Sequence, residues 1–147
     1  MPKIPNQLSL TLDYPVSANV MYQYFVSKGT GRKGYKAGMS QRYLSPKYKE
    51  FKNKNIFVIK QTINEQEWQT SEDDEFALHI ELVQKDKRKR DIDNYSKTLL
   101  DLLTNAGAYP DDSQIQELYV KKKTQPTAHA AYCKVTLTKI TEEQKEE

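Results

Sequence analysis

Leu8, Leu10 and Leu12 alternate with Ser9, Thr11 and Asp13, the period-two pattern of a strand with one buried face, and Pro15 ends it. The alternation returns where Phe76, Leu78, Ile80 and Leu82 interleave with Ala77, His79, Glu81 and Val83, which predicts a second strand. Between the two, Ser45-Pro46 is a helix start: serine can cap, and proline at the first helical position loses no hydrogen bond. Tyr48, Phe51, Ile59 and Ile63 then recur near helical spacing, so a helix is predicted over residues 46–66. Glu72-Asp73-Asp74-Glu75 is a solvated turn. After Asp93 comes the clearest helical pattern, with Tyr95, Leu99, Leu102, Leu103 and Ala106 on one face and Gly107 placed to close it. Residues 115–121 and 132–140 are the last strands, with Cys133, Val135 and Leu137 facing inward. Strand, helix, strand, helix, strand, strand describes a small single α/β (α+β) domain with a mixed β-sheet and two main helices. No internal repeat interrupts it.

Composition narrows this picture. A chain of 147 residues fits one domain, here assigned to 1–140, followed by an acidic tail at 141–147 expected to be disordered. With 37% hydrophobic and 29% charged residues the core is modest, and burial against a second copy would supplement it. The formal charge of +3 understates the positive body, because the tail carries Glu142, Glu143, Glu146 and Glu147 against Lys145. One cysteine excludes an internal disulfide, and one cysteine with two histidines excludes the common zinc fingers. No apolar run is long enough for a membrane span and no leader pattern follows Met1, so the expectation is a soluble cytoplasmic protein.

Residues 28–42 stand apart. Lys28, Arg32, Lys33, Lys36 and Arg42 occur there without an acid, together with four of the five glycines. The segment reads as a basic loop, either a solubilising surface feature or an arm for nucleic acid. Tyr22, Tyr35 and Tyr43 offer flat faces that could stack on bases or sugars.

The chemistry concentrates in Arg90-Asp91-Ile92-Asp93-Asn94 and Pro110-Asp111-Asp112-Ser113. Lys85, Lys87, Arg88, Lys89 and Arg90 crowd the first group. Carboxylates repel phosphate, so acids set in a basic surface make sense when a divalent cation joins them to a phosphodiester. In extended backbone Asp91 and Asp93 point the same way, and Asp93 is the expected N-cap of the following helix. Magnesium favours such oxygen ligands; bound there it would make hydroxide from water and stabilise the leaving oxygen. Asp112 lies beyond a helix of about 21 Å, so only tertiary folding can bring it to Asp93. Lys97, one turn after Asp93, has two readings: charge balance at a phosphate, or a surface pair with Asp101. The glycine and glutamate of a calcium-binding helix-loop-helix are missing, and the glycines near 28–34 do not meet the phosphate-loop pattern. His79 and His129 have no nucleophile at a telling spacing and read as structural.

Arg90-Asp91-Ile92-Asp93-Asn94-Tyr95-Ser96-Lys97, Leu100-Asp101-Leu102-Leu103, Asn105-Ala106-Gly107 and Asp111-Asp112-Ser113-Gln114-Ile115 together resemble the RusA family. Its members are small homodimeric Holliday-junction resolvases of bacteria, phages and prophages. Pro15-Val16-Ser17-Ala18-Asn19 looks like the turn after that family's first strand. The resemblance implies a RusA-like fold that brings the second aspartate pair next to the first. It implies metal binding by Asp91, Asp93 and Asp112, an essential Lys97, and a secondary place for Asp111. It further implies Mg2+, with Mn2+ as a substitute, a homodimer, four-way branched DNA as substrate and no membrane, in a bacterial or phage-infected cell. Phosphate contacts are expected from Arg32, Lys33, Lys36, Arg42, Lys87, Arg88 and Arg90, with Asn19 beside them. The 28–42 segment is longer and more basic than the family pattern. Two alternatives stay open: a non-catalytic nucleic-acid-binding module, and a nuclease for other branched DNA.

Overall fold

The computed structural model describes residues 5–26 and 40–142. Among them, β1 (Gln7–Asp13), β2 (Tyr22–Val26), β3 (Ser40–Leu44), α1 (Pro46–Glu65), β4 (Phe76–Gln84), α2 (Ile92–Asn105), β5 (Ile115–Thr124) and β6 (Tyr132–Lys139) follow in order. Four strands form the main sheet in the order β1-β6-β4-β5, while β2 and β3 pair separately as an antiparallel ribbon. β6 runs antiparallel to β1 and β4, whereas β4 and β5 are parallel and joined through α2. A parallel pair needs such a crossover, and a helix of fourteen residues provides it.

The predicted patterns produce the predicted burial. Leu8, Leu10 and Leu12 meet Leu78, Ile80 and Leu82 and the β6 residues Cys133, Val135 and Leu137 in one layer. Tyr48, Phe51 and Ile59 of α1, and Leu99, Leu102 and Leu103 of α2, close over it. Ser45 caps α1 as expected, its hydroxyl accepting from the Tyr48 N–H. Gly107 closes α2 at φ +81°, with the Ala108 N–H on the Leu103 carbonyl and the Gly107 N–H on that of Thr104. This is the paired closure that a left-handed residue makes possible. The result is a single small α+β domain with a mixed four-stranded sheet and two helices.

Two expectations need correction. Residues 40–42 are not loop: they belong to β3, paired with Tyr24–Val26 of β2. Ser40, Gln41 and Arg42 are all polar and show no alternation, and the pairing partner lies beyond the glycine-rich stretch. The remainder of that segment lies outside the described residues, as do residues 143–147 of the acidic tail. The N-cap of α2 is Asp91 rather than Asp93, because the helix already begins at Ile92.

Candidate nuclease site

β4 delivers the chain to the first acidic pair. Past Gln84, residues 85–91 form a short loop at the carboxyl end of the parallel strands, the side of an α/β crossover where ligands characteristically bind. Asp86 organises this loop. Its carboxylate holds the Arg90 guanidinium at 2.9 Å and accepts from the Arg88 N–H at 3.0 Å, and these bonds keep its pKa below the usual range. Arg90 also reaches the Gln84 side chain, lies over the Tyr14 ring at 5.7 Å, and offers its carbonyl to Lys122 Nζ at 2.6 Å. Arg90 is therefore a brace within the fold, whereas Lys87 and Arg88 stay at the surface. Tyr14 packs edge-on against Tyr95, and burial pushes its hydroxyl up to about 12.

Asp91 adopts the extended backbone of a cap, φ −82° and ψ 123°, but its carboxylate makes no capping bond. Its oxygen instead lies 3.4 Å from the Asn94 amide. Asp93 sits in the first helical turn, so the pair does not have the extended i, i+2 arrangement expected from sequence. Both carboxylates are exposed at the amino-terminal end of α2. Lys97 follows one turn on. Arg90, Asp91, Asp93, Ser96 and Lys97 line one wall of an open groove, and Leu118, Val120 and Lys122 of β5 line the other. Lys97 forms no contact ion pair with Asp101; its charge nonetheless works against the upward shift of the Asp101 carboxyl, which burial and then Asp112 produce.

The second aspartate pair lies elsewhere. Asp111 caps a 3-10 turn over Asp112–Gln114, accepting from the Ser113 N–H, which lowers its pKa. Gln114 completes the box: its oxygen accepts from the Asp111 N–H, and its amide donates to the carbonyls of Ser71 and Asp74. Asp112 accepts from Thr104 and from the Tyr109 hydroxyl, at the carboxyl-terminal end of α2. It faces Asp101, Thr104, Asn105, Tyr48 and Lys52. Asp93 and Thr104, the residue that holds Asp112, stand eleven residues apart along α2, about 16 Å.

One chain thus joins Asp91 with Asp93 and Lys97, and Asp112 with Asp101, but does not join the two groups. Among the described residues no three His, Cys, Asp or Glu side chains are grouped closely enough to hold an ion. Topology explains this. In a parallel strand–helix–strand unit the helix begins where the first strand ends, and the second strand starts at the opposite end of the sheet. Of the expected phosphate contacts, Arg32, Lys33 and Lys36 lie outside the described residues, Arg42 falls in β3, and Asn19 is exposed in a 3-10 turn that Ser17 caps. Sequence reasoning missed the bracing roles of Asp86 and Tyr14, and the Thr104–Tyr109 hold on Asp112; only tertiary contacts reveal them.

The structure is a small α+β domain with an acidic, lysine-bearing helix end. A profile of the family described as endodeoxyribonuclease RusA matches residues 25–136, and the chain belongs to that family. Curated relatives include crossover junction endodeoxyribonuclease RusA of Escherichia coli (strain K12), 35% identical over 63 residues, 43% of this chain and 51% of that protein. The proteins of that name from Aquifex aeolicus (strain VF5) and Enterobacteria phage 82 match at the same identity over 63 residues, covering 50% and 51% of their lengths. The chain spans about half the length of these curated relatives.

Proposed function

We propose that this protein is a structure-selective endodeoxyribonuclease that resolves four-way DNA junctions as a homodimer, in a bacterial or phage-infected cell. The observation that carries the reading is the exposed Asp91–Asp93–Lys97 group, set beside Lys87, Arg88 and Lys122 in a chain of the RusA family. Acids at the rim of a cationic surface serve a phosphodiester substrate better than they serve simple DNA binding. Lys87, Arg88 and the basic segment before β3 would hold backbone phosphates and make binding steeply salt-dependent. Arg90 would act indirectly, by fixing the loop that presents Asp91.

Mg2+ is the proposed cofactor, with Mn2+ as a substitute. Carboxylate oxygens are the hard donors it selects. Asp91 and Asp93 fit that chemistry, whereas Asp112 of the same chain is not at hand to join them. This separation also favours a second reading, a nucleic-acid-binding module whose acids only shape the ends of α2. Asp91→Asn separates the two. On a synthetic four-way junction with magnesium, the nuclease reading expects cleavage to fall at least about a hundredfold, the scale of losing a directly acting group. Cleavage equal to wild type would refute it, and magnesium-independent binding without any nick would establish the second reading.

A further inference from the structure

We infer that the sheet face turned away from the helices is a second nucleic-acid site: the His79–Tyr119 ring pair stacks an unpaired base of single-stranded DNA while Lys121, Lys123 and Lys134 hold its phosphates. This face lies on the opposite side of the sheet from the Asp91–Asp93–Lys97 groove, and its occupancy does not require cleavage.

The first observation is an aromatic stack on an otherwise polar surface. Leu78, Ile80 and Leu82 of β4 are buried, so alternation turns His79 and Glu81 to the other face. Register places Tyr119 of β5 on one side of His79 and Thr136 of β6 on the other. The His79 and Tyr119 rings lie 4.6 Å apart at 31°, and Tyr119 is 54% exposed. Neither ring serves the core. Thr136 is too short to rise beside the imidazole, so the shallow depression that these side chains line with Lys134 leaves room for a third ring. Base–aromatic stacking needs a free base face, which a single strand offers along its length and a duplex only at its ends.

The second observation is charge without partners. Lys134 and Lys121 flank Glu81 across the strands, and Lys123 stands beside Val83 one row further. All three lysines are exposed, and among the described residues none forms an ion pair, although cross-strand acids and lysines often do. Three cations against one carboxylate leave this end of the face positive; Glu117 lies at the other end, beside Ala77. Phosphates complement that excess.

The third is continuity. β4 runs from His79 past Val83 into the loop that carries Lys85, Lys87, Arg88 and Lys89. From His79 to Lys85 is about 20 Å of extended chain. The lysines of the open face and those of the loop thus form one basic band over the end of the sheet, and a DNA strand held at the loop can continue onto the stacked rings.

Anisotropy of a labelled oligothymidylate of about fifteen nucleotides, measured in EDTA so that nothing is cut, tests this. His79→Leu or Tyr119→Leu should weaken binding at least about fivefold, the lower end of what one stacked base contributes, whereas His79→Phe, which keeps a ring, should bind like wild type. Joint Lys121→Gln and Lys134→Gln replacement should flatten the dependence of log affinity on log salt by about 1.4, or about 0.7 for each lost phosphate contact. Phe57→Leu, at an exposed aromatic of α1, should change nothing. Light-driven cross-linking of an iodouracil-substituted strand should mark the peptides that hold His79 or Tyr119. Unchanged affinity in both leucine variants, equal loss in His79→Phe, or cross-links confined to other peptides would overturn the platform. So would a blunt duplex of the same length that competes as well as the single strand. Junction cleavage is scored separately, so failure of the nuclease reading leaves this result standing.

Discussion

Gln114→Leu should cost stability out of proportion to its size. Gln114 is 8% exposed and makes three hydrogen bonds, one from the Asp111 N–H at 3.0 Å and two to the Ser71 and Asp74 carbonyls at 2.9 and 2.8 Å. Leucine fills a similar volume but pairs with none of them. At about 0.5–1.5 kcal/mol net for each bond, and more where a backbone group stays dry, the loss is about 2–4 kcal/mol. For a domain of this size that lowers the melting midpoint by roughly 6–14 °C. Gln116→Leu is the matched control: Gln116 is exposed and makes one bond of 3.3 Å to the Ser113 carbonyl, so a change within about 0.5 kcal/mol is expected. Urea unfolding followed by circular dichroism gives both values. A Gln114→Leu loss below about 0.5 kcal/mol, with an unchanged denaturant slope, would refute the claim that this side chain pins the Asp111–Asp112 turn.

Further outcomes concern ionisation and access. Burial, reinforced by Asp112, raises the Asp101 carboxyl above its ordinary value, so the folded chain keeps a proton that the unfolded chain has released. The group then costs stability as pH rises from the ordinary carboxylate value through the raised one. Asp101→Asn should raise the melting midpoint at neutral pH and give no gain below the ordinary range; a gain that is constant with pH would contradict this. Cys133 is fully buried, its thiol pushed up to about 12 by desolvation. A colorimetric disulfide reagent should therefore leave the native protein unmodified and titrate one thiol in urea; rapid native reaction would show that β6 opens.

Much of the scaffold could be read from the chain, because alternation and helical spacing map directly onto burial. Leu8, Leu10 and Leu12 and the Leu99–Leu103 face each point where their period demands. The start of α2 was misplaced by two residues because both aspartates are good caps, and only backbone angles distinguish them. β2 and β3 escaped because pairing, not composition, makes them strands. The position of Asp112 was the deepest gap. Local pattern predicts a strand after α2 but not whether it runs parallel to β4, and that direction decides at which end of the sheet the second carboxylate pair stands.

The most direct measurement is incubation of the purified wild-type protein with labelled four-way junction, flap and linear duplex, with and without magnesium. The account predicts paired nicks at symmetric positions in the junction, dependent on magnesium, and neither flap nor duplex cut at a comparable rate. Equal cutting of flap and junction would contradict the proposed substrate. Junction binding without cleavage at any magnesium concentration would contradict the account as a whole.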